Sequence, residues 1–201
     1  KQAIERSGLD KDDIDFIIFA TLSPDMYFPG PGVQVQHALD IKTVGALDVR
    51  NQCSGFLYAL SIADQYIKSG MYKNILVVGS EMHSMGLDFS TRGRAVTVIF
   101  GDGAGAAIVQ RTENKEQGIL STRLHADGTY AEKLAFLAPG SHGGYYNDKL
   151  EEPTDYGFDE SIEYGEIFFT EKMLFFYKTL SICNFFIILL CFISGMILCT
   201  R

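Results

Sequence analysis

Three short apolar runs in the first 80 residues set what this chain can fold into. Ile14–Ala20 is nearly continuous in apolar side chains and is bounded by acids. Thr43–Val49 is a second run, and Asn74–Val78, closed by Gly79, is a third. Apolar side chains at successive positions, rather than alternate ones, describe strands buried on both faces. Between the second and third runs lies the clearest helix, Gly55–Ser69. There Phe56, Leu60, Ala63 and Ile67 recur at 3.6-residue spacing and Gly70 caps the end. A shorter helix is expected over Val33–Leu39, where Val35 and Leu39 stand four apart. Strand, helix, strand, helix, strand in this order makes a parallel sheet with right-handed crossovers and helices on its faces, an α/β fold.

Around this frame the reading is coarser. Lys1–Asp12 reads as the end of a helix and a loop, with Ile4 and Leu9 its apolar residues. Ser23-Pro24-Asp25 and Phe28-Pro29-Gly30-Pro31-Gly32 are loop chemistry. Residues 80–94 form a long loop or a broken helix. Ala95–Phe100 and Ala106–Gln110 read as strands joined by a turn across Gly101-Asp102-Gly103-Ala104-Gly105, and Gly118–His125 as one more strand. These last strands are expected to add an antiparallel edge. Residues 126–165, rich in glycine, tyrosine and acids, read as irregular surface.

The formal net charge of −8 argues against nucleic acid as a partner. The first residue is Lys1 rather than methionine, which points to a missing N-terminus, and no basic-then-apolar opening suggests a signal peptide. Of the 4 cysteines only Cys53 lies in the first 180 residues. No CxxC or Cys/His spacing calls for a metal, so none is expected, and a reducing, cytoplasmic setting fits.

Cys53 therefore carries the chemical interest. It falls where an apolar run ends and a helix begins, in Arg50-Asn51-Gln52-Cys53-Ser54-Gly55. A thiol at a strand-to-helix turn meets free backbone N–H groups and the positive end of a helix dipole, which favour a thiolate. In open α/β sheets, sites collect at the carboxyl ends of the strands. Gly55 next to it would let a substrate approach closely. The competing reading is a buried, inert core cysteine. A nucleophilic thiol at such a place suits acyl transfer through an acyl-enzyme. The glycine-rich Gly101–Gly105 stretch is neither a helix-opening dinucleotide fingerprint nor a phosphate loop, and a turn between strands explains it better. His83 is a loop histidine near the site; His37, His125 and His142 have weaker claims to a role.

Asp48–Leu60 resembles the active-site segment of β-ketoacyl-acyl carrier protein synthase III, a condensing enzyme of the thiolase superfamily. Asp13–Thr21, Ser61–Gly70, Ile75–Glu81 and Ile99–Ala106 resemble further blocks of that family, in its order, so the resemblance runs over about residues 3–150. It implies a thiolase-like N-terminal half over 1–160, a parallel-core mixed sheet with helices, incomplete, followed by a divergent apolar C-terminal tail over 161–201. It also implies that Cys53 takes an acyl group from acyl-coenzyme A as substrate, without a cofactor. Malonyl-acyl carrier protein is then decarboxylated and condensed onto it in fatty acid biosynthesis, with the backbone N–H of Cys53 in the oxyanion hole. Phe28 matches a loop phenylalanine that crosses the interface of a homodimer toward the partner's acyl pocket. Arg94 matches an arginine that packs on the coenzyme A adenine, with Arg92 the close alternative.

The resemblance also marks departures. The family's first strand is missing, and so is its second half with the histidine and asparagine of decarboxylation. Half of such a fold leaves apolar faces uncovered, which implies a need for a partner surface. In their place Thr179–Thr200 runs 22 residues without a charge, enough to span a bilayer, which takes about 20. Three readings of this tail stand open: a truncated or misread coding sequence, a membrane anchor over 179–200, and a buried core helix. Two alternatives to the leading function follow. One is another thiolase-like β-ketoacyl or polyketide synthase; the other is a catalytically dead, membrane-tethered chain.

Overall fold

The structure is a computed structural model that describes residues 1–51, 53–114, 117–130 and 197–200. The chain divides into two compact units. The first takes in Lys1–Met82, Asp102–Leu124 and the described residues 197–200; the second takes in His83–Gly101 and the described residues 125–130.

The first unit is built on one sheet. The apolar runs become strands β1 (Phe16–Ala20), β2 (Gly45–Val49) and β3 (Asn74–Glu81). With β4 (Gly103–Arg111) and β5 (Ile197–Thr200) they lie in the order β2-β1-β3-β4-β5. β1 pairs parallel with both β2 and β3, with Ala20 opposite Val49 on one side and Gly79 on the other. β4 runs antiparallel to β3, and β5 parallel to β4. This is the expected mixed sheet with a parallel core.

The burial of β1 on both faces follows from where the helices pack. Phe16, Ile18 and Ala20 meet one face, where α3 (Gly55–Lys68) supplies Ala59, Leu60, Ala63 and Ile67. Ile17 and Leu76 meet the other face, together with Ile4 of α1 (Gln2–Ser7) and half-buried Val35 of α2 (Pro31–Ala38). With side chains alternating across a strand, only a run apolar at every position can serve two such faces. α3 ends as expected: Gly70, at φ 75, donates its N–H to Ile67 O at 3.0 Å. Only glycine adopts that left-handed conformation without strain.

Three expected features differ. Ala95–Phe100 is not a strand: in the second unit Arg94–Thr97 forms a single helical turn, α4. Val96 and Thr97 donate to Gly93 O at 3.0 and 2.9 Å, and the Thr97 hydroxyl donates to Asp88 O at 2.7 Å. The β-branched run has strand propensity, but these local hydrogen bonds satisfy its backbone, and Val98 is 73% exposed. Likewise, Gly101–Gly105 is not a turn between two strands. β4 already begins at Gly103, and Gly103, Ala104 and Gly105 pair with Glu81, Ser80 and Gly79. An eight-residue antiparallel ladder outweighs the poor strand propensity of glycine. Finally, Gly118–His125 forms no strand and leaves Leu120 70% exposed, because it pairs with none of the described strands.

The boundary expected at 160/161 lies outside the described residues, as does the span 179–200 except for 197–200, which form β5 rather than helix. Among the described residues no helix is long and apolar enough to cross a membrane, and no group of side chains could hold a metal ion.

Candidate active site at the carboxyl ends of the strands

Because β1, β2 and β3 are parallel, their carboxyl ends share one edge of the sheet, and three segments emerge there. From β2 the chain passes through Arg50 and Asn51 to a turn at Cys53 and Ser54, and α3 begins at Gly55. Cys53 is exposed and its thiol is free, so the reading of Cys53 as a buried core residue does not hold. Ser54 is the N-cap of the 14-residue α3, yet its side chain makes no capping hydrogen bond, and the first turn carries no acid. The positive end of the α3 dipole is thus left without an acidic side chain beside Cys53.

Two glycines seat the start of α3 on the sheet. A Cβ on Gly55 would lie 3.4 Å from the Ala20 methyl, and one on Gly79 would lie 3.0 Å from the Phe56 ring. Gly55 is buried against β1, where a Cβ would meet Ala20 in ordinary van der Waals contact, whereas a Cβ on Gly79 would press on the Phe56 ring. The turn carrying Cys53 is thereby held close to the end of β1.

The second segment is the loop from Thr21 to Gly30. Glu81, at the end of β3, accepts from the Thr21 hydroxyl at 3.2 Å, from the Leu22 and Ser23 N–H groups at 3.0 and 3.2 Å, and from the Ser23 hydroxyl at 2.7 Å. The Ser23 hydroxyl in turn accepts from Met82 N–H at 2.8 Å. At the far end of the loop Gly32 N–H donates to Asp48 Oδ1 of β2 at 2.7 Å. Phe28 lies between these anchors and is 86% exposed. The sequence reading did not single out Asp48 or Glu81 as site residues. The available signal was an acid inside or directly after an apolar strand, where a carboxylate requires donors.

Arg92 and Arg94 belong to the second unit. Arg92 Nε donates to Asp88 Oδ2 at 2.8 Å. Hydrogen bonds from the Ser90 side chain, then from Arg92 and from the Ser90 backbone, hold the Asp88 carboxyl down at about 2. Arg94 opens α4 and is exposed; its backbone N–H donates to Thr91 O at 3.4 Å, while its side chain makes no hydrogen bond or ion pair among the described residues. His83 Nδ1 lies 3.2 Å from Gly101 O, and its ring meets the edge of Phe100 at 5.0 Å, contacts of a histidine that holds its own loop.

Residues 47–128 match the family model of 3-oxoacyl-[acyl-carrier-protein] synthase III, a stretch that includes Cys53, Arg92 and Arg94. The β-ketoacyl-[acyl-carrier-protein] synthase III of Yersinia pseudotuberculosis is 48% identical over 139 residues, which are 69% of this chain and 43% of that protein. The corresponding synthase of Aliivibrio fischeri is 49% identical over 137 residues, 68% of this chain and 42% of the relative. The crystal structure of the Aquifex aeolicus 3-oxoacyl-[acyl-carrier-protein] synthase III superposes with a TM-score of 0.59 at 46% identity, over 62% of this chain and 40% of that one. The chain thus spans a little over two fifths of the curated relatives it matches. With its thiol at the β2–α3 turn and a thiolase-like sheet behind it, this is a partial chain of the 3-oxoacyl-[acyl-carrier-protein] synthase III family.

Proposed function

We propose that this chain supplies the acyl-accepting part of a β-ketoacyl-acyl carrier protein synthase of fatty acid biosynthesis, with Cys53 as the nucleophile. The observation that carries this reading is the exposed Cys53 thiol at the carboxyl end of β2 and the N-terminus of α3. The Cys53 thiolate attacks the thioester carbonyl of an acyl-coenzyme A. The carbon–sulfur bond to coenzyme A breaks, coenzyme A leaves as its thiol after taking a proton, and the acyl group stays on Cys53 as a new thioester. The oxyanion formed on the way is stabilised by the Cys53 backbone N–H at the positive end of α3. No cofactor is required for this step. Condensation with malonyl-acyl carrier protein is proposed for the whole protein, as a homodimer in the cytoplasm.

Of the two arginines, Arg94 is the better contact for the coenzyme A adenine and Arg92 the weaker, because the Arg92 guanidinium is engaged by Asp88. Phe28, exposed on its loop, is proposed to reach the acyl pocket of the second protomer. The test is protection. Iodoacetamide should alkylate Cys53 in the folded chain, and prior incubation with an acyl-coenzyme A should block it, whereas coenzyme A alone should not. Equal alkylation with and without the acyl donor would refute the proposal.

A further inference from the structure

We infer that Asp48 and Glu81 are positioning residues that clamp the two ends of the Thr21–Gly30 loop and so hold Phe28 at its tip. The role of Phe28 itself rests on the reading given under Proposed function; the clamp rests on contacts inside the first unit.

The loop cannot owe its shape to burial of its tip. Met26, Tyr27 and Phe28 are 49%, 52% and 86% exposed, so little apolar surface is removed from water there. Both of its ends are anchored by carboxylates. At the first end one carboxylate, Glu81, gathers two backbone N–H groups and two hydroxyls within three successive residues, Thr21 to Ser23. The Ser23 hydroxyl also takes the Met82 N–H, so the exit of β1 is tied to the end of β3 in both directions.

The second end is built around Asp48. α2 starts with Pro31, which has no N–H, so Gly32 carries the first N–H of the helix, and Asp48 Oδ1 accepts it at 2.7 Å. Glycine on both sides of Pro31 is explained by the same carboxylate. A Cβ on Gly30 would lie 1.9 Å from Asp48 Oδ2, and one on Gly32 would lie 3.1 Å from Asp48 Oδ1. Gly30 has φ −66, an ordinary conformation for any residue, so space rather than backbone strain demands glycine here. The two acids come from β2 and β3, the two neighbours of β1, whose C-terminus feeds the loop. β2 also leads into the turn with Cys53, so the loop and the thiol segment hang from one strand.

The chain has no tryptophan, so Phe28→Trp places a single reporter at the tip. In that background, time-resolved anisotropy reads loop motion on the nanosecond scale, and far-UV circular dichroism reads the fold. Asp48→Ala and Glu81→Ala are expected to lose much of the slow, whole-protein component of the decay while the circular dichroism stays unchanged. Asp48→Asn should retain that component, because an amide oxygen still accepts the Gly32 N–H. Gly30→Ala should reproduce Asp48→Ala by displacing the carboxylate, and should add nothing in the Asp48→Ala chain. Where Glu81→Ala does not fold, Glu81→Gln replaces one acceptor by a donor and should give the same loss at smaller amplitude. An unchanged decay in Asp48→Ala, or additive losses for Gly30→Ala and Asp48→Ala, overturns the clamp. The protection of Cys53 by acyl-coenzyme A is read separately, so failure of the acyl-transfer proposal and failure of the clamp give different results.

Discussion

Gly45→Ala tests how β2, the strand that delivers both Asp48 and Cys53, is seated. Gly45 lies opposite Phe16 in the parallel β1–β2 pair. A Cβ there would fall 2.4 Å from Cε2 and 2.7 Å from Cδ2 of the Phe16 ring. Carbon atoms prefer about 3.5–4 Å, so the methyl overlaps the ring by about 1 Å. The ring has little freedom to yield, being 7% exposed, stacked on Tyr72 at 4.3 Å and met edge-on by Tyr66 at 5.3 Å. Overpacking of this kind costs about 1–3 kcal/mol. Replacing glycine lowers the entropy of the unfolded chain and returns about 0.4–1 kcal/mol. The net expectation is a loss of about 1–2 kcal/mol, read as a lower midpoint in urea denaturation with an unchanged slope. Phe16→Leu removes the ring, so the alanine should cost little in that background, and the double-mutant cycle should show coupling between the two sites. A Gly45→Ala chain as stable as the parent, or one equally penalised in both backgrounds, would refute the packing argument.

Three further outcomes follow from the second unit and the site. Arg94→Ala should weaken coenzyme A binding measured by calorimetry about tenfold, on the scale of one guanidinium–ring contact, and Arg92→Ala should weaken it less; the reverse order would exchange the proposed roles. The Asp88 carboxyl, ordinarily near 3.8, is lowered to about 2 in the folded chain. Its contribution to stability is therefore present above 3.8 and lost as pH falls toward 2, so Asp88→Asn should flatten acid unfolding in that window, as followed by circular dichroism against pH. An acid limb identical in the two chains would remove Asp88 from the account.

Much of the fold is legible in the residues because the underlying signals are local. Phe16–Ala20 reads as a strand because every position is apolar, and it is buried at all five. α3 shows its period and its terminal glycine, and its bounds match the expectation to within one residue. Ala95–Phe100 misleads because Val96, Thr97, Val98 and Ile99 have strand propensity but find their hydrogen bonds within one turn of helix. Gly101–Gly105 misleads in the opposite sense, since pairing with Gly79, Ser80 and Glu81 comes from a strand more than 20 residues earlier. The place of Cys53 is legible because strand end, thiol and helix start are consecutive. The anchoring of the Phe28 loop is not, because Glu81 reaches residues 58 to 60 positions away and Asp48 reaches one 16 away. The glycines act by contact as well: Gly30 and Gly79 serve close approach, a reason that becomes visible only in the packed chain.

The central claim is that Cys53 accepts an acyl group, and intact-protein mass spectrometry after incubation with an acyl-coenzyme A tests it most directly. The account predicts one added acyl group per chain, located on the peptide containing Cys53, removed by hydroxylamine as a thioester should be, and absent from Cys53→Ala. A natively folded chain with no adduct, or an adduct that persists in Cys53→Ala, would contradict it.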